Sequence, residues 1–506
     1  MPKILKLNFN KQYIYIFTFV ALLINASCTQ KLPRFTESNQ NVVLNPDYTS
    51  ISIPPNIAPV NFSINETANR YLVRIYNSNG IDFMIRSKNG NIKIPQRKWE
   101  KLLSTTISKE YYVDIFVRKS QKWMKFNTIT NYVTPDSIDK YLTYRLIEPG
   151  FVGWNKMGLY QRNLENFKEK PIMINSLSNG NCINCHTFNQ NNSNTMMFHM
   201  RGKNDGTVIS RNNNITKINT KTNKTISPGV YSSWHPSGNY IASSVNKIVQ
   251  SFHAIPGKKI EVIDILSDIV VYDLNINTAS SCRLLSNPDR LETFPNWSPD
   301  SRYLYFCSAK KQPINNYKQI WYDLLRISFN PENCSFGEVD TIWSVSGQEK
   351  SISFPKISPD GKYMLFCISD YGNFTIWHNE SDLYLLDLVS GKLIHPDINS
   401  DKSESFHSWS STGKWIVFSS RRGDGLYTRP YFSYFDTSGK MHKPFILPQK
   451  DPEFYFNFMK SFNLPEFTTN KVDLKLRDLR KIVNSEPEQI IFENSDQDKS
   501  FSQPEN

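Results

Sequence analysis

The segment Thr293-Phe-Pro-Asn-Trp-Ser-Pro-Asp-Ser-Arg-Tyr-Leu304 decides the fold, because closely similar segments occur at three other places in the chain. Each copy has an aromatic residue, then Trp or Ile, then a turn of the Pro-Asp-Gly kind, then an aromatic and an aliphatic residue. Proline sets φ for the turn and Gly or Asp tolerates the backbone conformation of its later positions, so the flanking apolar runs are expected to pair as a hairpin. The other copies are Val230-Tyr-Ser-Ser-Trp-His-Pro-Ser-Gly-Asn-Tyr-Ile241, Ser353-Phe-Pro-Lys-Ile-Ser-Pro-Asp-Gly-Lys-Tyr-Met364 and Ser405-Phe-His-Ser-Trp-Ser-Ser-Thr-Gly-Lys-Trp-Ile416.

A further apolar strand that ends near an aspartate comes after each copy, at 271–274, 323–327, 384–388 and 431–436. About four strands per repeat is the content of one blade of a β-propeller. An earlier blade is expected over 196–219, where three short runs precede the first full copy. The sequence therefore predicts an all-β propeller over 196–467 with five readable blades.

The hairpin pattern W-S-P-D-G-x-x-[IL] resembles the WD-like repeat of TolB-type β-propellers. Members of that family usually have six blades, so the resemblance implies five or six here. The chain as a whole also resembles a group of envelope lipoproteins, some of them loosely described as related to cytochrome c. This resemblance implies a fold and a compartment, and no established activity.

The stretch Cys182-Ile183-Asn184-Cys185-His186 has the spacing C-x-x-C-H, which is typical of covalent c-type haem attachment. In such a site each thiol adds to one vinyl group of the porphyrin, and the histidine ligates the iron from one face. A local disulfide beside an unrelated histidine is the alternative. A zinc site is disfavoured, because no second C-x-x-C completes a set of four thiolates.

His199 is the leading candidate for a second iron ligand, since it lies 13 residues after His186 within Met196-Met-Phe-His-Met200. The methionines of that run, a distant histidine (His235, His253 or His407) and an open or water-ligated position are the alternatives. We interpret His186 and His199 as candidate iron ligands, and Cys182 and Cys185 as the attachment residues.

The N-terminus predicts export. A basic start with Lys3, Lys6 and Lys11 precedes an apolar run over 13–24, and small residues lead to Cys28. This pattern resembles a bacterial lipoprotein signal with Cys28 as the lipidated residue, and the alternative is a plain cleaved signal. We expect a cell-envelope protein, lipid-anchored and facing the periplasm.

The remaining boundaries rest on changes of pattern. We expect a signal peptide over 1–27, a tether over 28–44, an immunoglobulin- or fibronectin-like β-sandwich over 45–143, a bridge with the C-x-x-C-H motif over 144–195, and a largely disordered tail over 468–506. The sandwich prediction rests on short alternating runs separated by Gly, Asn and Pro.

Composition limits the functional classes. The net charge is +13, but the lysines and arginines are scattered, so nucleic acid is not an expected partner. No G-x-S-x-G elbow occurs, which argues against a propeller-capped hydrolase. The leading functional prediction is a c-type haem protein for electron transfer or redox sensing, with the propeller as a docking platform for an envelope protein or redox partner. The alternative is a non-haem interaction scaffold of the cell envelope.

Overall fold

A computed structural model describes residues 32–148, 156–255 and 258–493 of the chain. The signal region, including Cys28, lies outside the described residues. The described chain is all-β, with many short sheets and little helix, as the repeats predict. It consists of an N-terminal domain, a ring of sheets and a short C-terminal tail that returns to the ring.

The N-terminal domain contains two sheets and one helix. A seven-stranded sheet has the order β1-β9-β8-β10-β3, with β5 pairing β8 and β6 pairing β5, and a second sheet has the order β2-β4-β7. The elements are β1 (Phe35–Glu37), β2 (Leu44–Asn45), β3 (Ser52–Ile53), β4 (Phe62–Ile64), β5 (Arg70–Asn77), β6 (Asp82–Ser87), β7 (Asn91–Ile92), α1 (Gln96–Thr106), β8 (Lys109–Lys119), β9 (Lys122–Lys125) and β10 (Ile129–Val133).

This arrangement differs in detail from the sandwich that the sequence predicts. Two strand pairs of the larger sheet, β1 with β9 and β3 with β10, are parallel. Helix α1 buries Trp99 and Leu102 in the same core as the strands. The immunoglobulin-like topology is therefore not confirmed, although the alternating runs do form strands.

Six further sheets are arranged in a ring, and we number them 1 to 6 around it. Sheet 1 consists of β11 (Tyr141–Ile147), β12 (Gly158–Asn163), β13 (Glu169–Ile174) and, from near the C-terminus, β34 (Ser461–Thr468). Sheet 2 consists of β14 (Cys182–Asn189), β15 (Asn192–Arg201), β16 (Gly206–Arg211) and β17 (Asn214–Asn219). Sheet 3 consists of β18 (Val230–Trp234), β19 (Tyr240–Ile255), β20 (Lys258–Asp273) and β21 (Thr278–Ser280).

The other three sheets each use one continuous stretch of chain. Sheet 4 consists of β22 (Arg290–Trp297), β23 (Tyr303–Lys310), β24 (Tyr322–Asn330) and β25 (Ser335–Trp343). Sheet 5 consists of β26 (Ser351–Ile357), β27 (Tyr363–Ser369), β28 (Asp382–Asp387) and β29 (Leu393–Ile394). Sheet 6 consists of β30 (Glu404–Trp409), β31 (Trp415–Ser420), β32 (Arg429–Tyr434) and β33 (Phe445–Ile446).

The ring closes through β34. The inner strands β34, β14, β18, β22, β26 and β30 contact one another in that order, and β30 contacts β34 in turn. Strand β34 pairs antiparallel with β11, so the two ends of the ring segment share one sheet. The segment 144–195, expected as a less regular bridge, thus contributes strands to sheets 1 and 2.

The C-terminal tail is partly ordered. After the short α2 (Phe454–Asn457) and β34, helix α3 (Leu476–Val483) buries Leu479 between sheets 1 and 2. Strands β35 (Glu488–Gln489) and β36 (Ile491–Phe492) then pair in parallel with the outer strands β17 and β21. Covering these outer edges protects them from pairing with other chains. In the described part of the chain, no helix combines the length and apolar character needed to span a membrane.

The N-terminal domain packs against sheets 1 and 6 and shares their hydrophobic core. The Trp415 indole donates to the Asp136 carbonyl at 3.0 Å, and the Ser411 amide donates to the Asp139 carboxylate at 2.7 Å. These contacts fix the domain to the outside of the ring beside the end of its axis that bears the β-hairpin turns.

Candidate functional site

Each of the six inner strands is interrupted by a β-bulge at the same place. The ladder register shifts there in every sheet, and the first bulged residue has a positive φ although it is not glycine. Such a backbone costs roughly 1–3 kcal/mol per residue and re-aims the side chain. The six floor residues are Cys185 (φ 42°), Tyr231 (50°), Phe294 (53°), Phe354 (54°), Phe406 (43°) and Leu464 (50°).

The floor residues meet at the ring axis. The ring centroids of Tyr231 and Phe294 are 4.6 Å apart, those of Phe294 and Phe354 4.2 Å, and those of Phe354 and Phe406 4.8 Å. Aromatic pairs at these separations attract one another beyond their area burial. The four rings therefore form an apolar plug across the axis, and Cys185 and Leu464 complete the circle.

A polar residue follows each floor residue by two positions along its strand. These six polar residues form a ring between the floor and the hairpin turns. Most of its members link one inner strand to the next. The Ser233 hydroxyl accepts the Trp297 amide at 3.3 Å, Asn296 Oδ1 accepts the Ile357 amide at 3.0 Å, and the Ser408 hydroxyl donates to the Pro465 carbonyl at 3.1 Å. The polar ring consists of Thr187, Ser233, Asn296, Lys356, Ser408 and Glu466.

Floor, polar ring and hairpin turns together enclose a funnel of about 430 Å³ on the ring axis. The turns that form its rim contribute Pro236, Pro299, Pro359 and Ser411. Pockets that bind small molecules have volumes of this order and combine apolar walls with a few polar groups. The funnel is therefore the candidate functional site.

The funnel holds two charged side chains, Lys356 on sheet 5 and Glu466 on sheet 1. Glu466 Oε1 accepts the Phe188 amide at 3.0 Å and the Thr187 hydroxyl at 3.2 Å. Burial raises the pKa of Glu466 to about 7, although Lys356 and these donors oppose the shift. Burial likewise lowers the pKa of Lys356, and Glu466 opposes that shift.

The residues of the predicted haem site face different places. Cys182 and Cys185 both lie on β14, and both thiols are free. Cys185 is a floor residue of the funnel. Cys182 instead packs against the hydrophobic core between sheets 1 and 2, and we call such a core between neighbouring sheets a seam. Burial raises the pKa of Cys182, and Arg145 and Arg201 oppose the rise.

His186 borders the funnel, but its imidazole nitrogens are buried, beside the backbone of Thr143 in sheet 1. Neither nitrogen completes a hydrogen bond within the described residues. Burial, together with the nearby Arg145, lowers the pKa of His186 to about 3. His407 occupies the same position in sheet 6, where its Nε2 bonds to the Leu365 carbonyl at 2.9 Å. His186 therefore lies in the seam between two neighbouring sheets, and sheet 6 has a histidine, His407, at the equivalent position.

His199 lies on β15 and is fully buried. Its Nδ1 is 3.0 Å from the Thr207 hydroxyl, and it does not line the funnel. Burial, with Arg201 nearby, lowers its pKa to about 3. Its neighbours Met196, Met197 and Met200 are core residues of the seams on either side of sheet 2. Within the described ranges, no group of three or more His, Cys, Asp or Glu side chains is placed to hold a metal.

A haem attached through both thiols needs the two sulfurs and the ligating imidazole on one face of the macrocycle. Here Cys185 points into the funnel, Cys182 packs in a seam, and the His186 nitrogens are enclosed between two sheets. The residues present therefore do not fit a haem held as C-x-x-C-H predicts. An extended strand also separates the Cα atoms of residues i and i+3 by about 10 Å, whereas a disulfide needs less than about 7 Å.

The opposite end of the axis is covered by the long β19–β20 hairpin. Ile260 and Ile263 pack in the same core as Trp377 and the floor residue Phe406. Glu261 accepts the Tyr371 hydroxyl at 2.9 Å and lies 2.9 Å from His378 Nε2. The funnel therefore opens only toward the hairpin turns among the described residues, since the plug and this hairpin fill the other side.

Sequence reasoning did not identify Lys356 and Glu466 as site residues. The signal lies in the repeats, because the second position after the aromatic holds Ser, Asn, Lys and Ser in the four aligned copies. The run Leu464-Pro465-Glu466-Phe467 fits the same pattern, and so does Cys185-His186-Thr187-Phe188. Aligning these two runs with the four copies would have placed all six inner strands.

No family model matches the chain, and no curated protein matches it. Among solved structures, a chain of the nidogen/laminin complex is 10% identical, with a TM-score of 0.35, over 60% of this chain and 93% of that one. The Dos1 propeller is 12% identical, with a TM-score of 0.27, over 45% and 64%. A DUF4784 family protein from Bacteroides caccae is 11% identical, with a TM-score of 0.28, over 72% and 97%. All three similarities are weak, and none indicates a shared activity.

Proposed function

We propose that this chain is a recognition protein of the cell envelope, a six-bladed TolB-like β-propeller whose axial funnel binds a small ligand or the end of a partner chain. The observation that carries the proposal is the funnel itself, with its apolar floor, polar ring and mouth at the hairpin turns. In this interpretation β34 is the inner strand of the blade that closes the ring.

Binding suits the chemistry of the polar ring better than catalysis does. Ser233, Asn296 and Ser408 are engaged in hydrogen bonds that hold neighbouring strands together. Groups committed in this way shape a cavity and are not free to move protons. Export and lipidation at Cys28 belong to the same proposal and rest on the sequence of the N-terminus.

The test is a thermal-shift screen of the exported chain against amino acids, short peptides, organic acids and sugars. A ligand that binds the native state raises the melting temperature to an extent that grows with its concentration relative to Kd. Gln190, an exposed rim residue, is replaced by Trp to obstruct the mouth. Gln348, exposed on the loop between β25 and β26, is replaced by Trp as the control.

We expect at least one class of compound to stabilise the wild type and Gln348→Trp, but not Gln190→Trp. Stabilisation that survives in Gln190→Trp would place binding outside the funnel and refute the proposal. Haem attachment at Cys182 and Cys185 stays a prediction of the sequence, and the absorption spectrum of the exported protein tests it.

A further inference from the structure

Lys356 is the exception in the polar ring. Ser233, Asn296 and Glu466 accept a backbone amide of the next inner strand, and Ser408 donates to a carbonyl there. A lysine has no acceptor and cannot replace the three that accept. At this position a backbone group links the two strands instead, because the Lys356 carbonyl accepts a hydrogen bond from the Trp409 indole at 2.9 Å. The amine is therefore not needed to join sheets 5 and 6.

The Lys356 ammonium makes no hydrogen bond and no ion pair with any described residue. Its charge nevertheless acts on groups of three other sheets. Burial lowers the pKa of His186 on sheet 2 and of His407 on sheet 6, and the charge of Lys356 adds to both shifts. The same charge opposes the rise in pKa that burial causes in Glu466 on sheet 1. Lys356 lines the funnel and follows the floor residue Phe354 by two positions, so its side chain belongs to the polar ring between the aromatic floor and the mouth.

An unpaired ammonium in a partly desolvated cavity is costly unless an anion joins it. Among the residues that line the funnel, Lys356 is the one lysine or arginine. A single ammonium without a guanidinium fork suits one carboxylate better than a phosphate, which draws several donors. The four rings below offer an apolar surface to the rest of such a ligand.

We propose that the funnel binds an apolar carboxylate, with the carboxylate on the Lys356 ammonium and the apolar group on the floor of Tyr231, Phe294, Phe354 and Phe406. This inference rests on the proposed function and specifies its ligand. Two sources share the chemistry, namely a free organic acid and the C-terminus of a peptide that ends in a bulky residue. Glu466, whose Oε1 accepts the Phe188 amide and the Thr187 hydroxyl, lies in the same polar ring, with Ser408 between it and Lys356.

Isothermal titration of the exported chain tests the proposal with N-acetyl-L-phenylalanine and its neutral amide. The peptide acetyl-Gly-Gly-Phe, as acid and as amide, represents the second source. The variants are Lys356→Met, which removes the charge, and Lys356→Arg, which keeps it. Lys362→Met is the matched control, since Lys362 is exposed on the hairpin that follows Lys356.

We expect the acid to bind the wild type at least tenfold more tightly than the amide. Lys356→Met should weaken acid binding by roughly 10- to 100-fold, the factor for one hydrogen bond to a charged group, and leave amide binding unchanged. Lys356→Arg should retain the preference for acid, and Lys362→Met should match the wild type. A tighter fit of the peptide acid than of the free acid would assign the site to a chain terminus, and the reverse to a small molecule.

Equal binding of acid and amide, unaffected by Lys356→Met, would overturn the carboxylate inference and leave funnel binding intact. Binding of neither compound, while other compounds still bind in a manner blocked by Gln190→Trp, would overturn it in the same way. Acid binding that persists in Gln190→Trp would overturn the inference and the proposed function together. Circular dichroism of each variant confirms that the fold is retained.

Discussion

Replacing Glu466 by Gln should change how the stability of the protein depends on pH. The glutamine keeps an oxygen acceptor for the Phe188 amide and the Thr187 hydroxyl, so the link between sheets 1 and 2 survives. What the variant loses is the titrating proton. Burial raises the pKa of Glu466 from 4.5 to about 7, so the folded state holds this proton more tightly than the unfolded state does.

The sign comes from proton linkage. The stability contributed by the protonated carboxyl is fully present below pH 4.5 and is lost as the pH rises through about 7. A shift of this size corresponds to about 3 kcal/mol, an upper figure because the funnel is open to water. The glutamine that replaces Glu466 cannot ionise. We therefore expect Glu466→Gln to match the wild type near pH 4.5 and to exceed its free energy of unfolding by up to about 3 kcal/mol above pH 7.

Urea unfolding followed by tryptophan fluorescence, at intervals from about pH 4.5 to about pH 8.5, measures this difference across the window of the linkage. Apart from Lys356, whose pKa also depends on Glu466, the other titrating groups are common to both proteins and cancel. Glu338→Gln, at an exposed position on β25, reports the effect of an added amide alone. A difference between Glu466→Gln and wild type that stays constant across the range, or that favours the wild type at high pH, would refute the buried position of this carboxyl.

Four further outcomes are expected. In urea unfolding, Phe467→Ala should destabilise the protein by about 3–5 kcal/mol, because this β34 side chain is fully buried and its ring centroid lies 5.9 Å from that of Phe432 in sheet 6. The control Phe456→Ala should be nearly neutral, because Phe456 is 87% exposed. Binding of N-acetyl-L-phenylalanine should weaken as the pH rises through about 7, since Glu466 then ionises beside Lys356 while His186 and His407 stay neutral, and Glu466→Gln should flatten that titration. Export in a host competent for haem attachment should give a colourless protein; a Soret band that survives denaturation and vanishes in Cys182→Ser/Cys185→Ser would instead establish the haem that the sequence predicts. Labelling with radioactive palmitate should mark the wild type and not Cys28→Ser, and equal labelling would exclude lipidation at Cys28.

The all-β architecture could be predicted from the repeats because their turn chemistry is local. Ser358, for example, accepts the Tyr363 amide at 3.0 Å within its own hairpin, and such contacts depend on adjacent residues alone. The short alternating runs over 45–143 were predicted as strands from adjacent residues in the same way, and two of them form β8 and β9.

Ring closure was harder to predict, because β34 pairs with β11, which lies far away along the chain. The local pattern at the end of 451–467 is weak, because Leu464-Pro465-Glu466-Phe467 has leucine where the four aligned copies have an aromatic residue. The C-x-x-C-H stretch also conceals a copy of the repeat. Cys185 and His186 occupy the positions that Phe294 and Pro295 occupy in sheet 4. Because neither residue matches its counterpart, the sequence of β14 does not look like a copy of the repeat.

The most direct measurement is a crystal structure of the exported chain with N-acetyl-L-phenylalanine. We expect density for the ligand on the ring axis, with its carboxylate within hydrogen-bond distance of Lys356 Nζ and its ring against Phe294 and Phe354. Density confined to the outside of the ring, or a carboxylate directed out of the mouth and away from Lys356, would contradict the account.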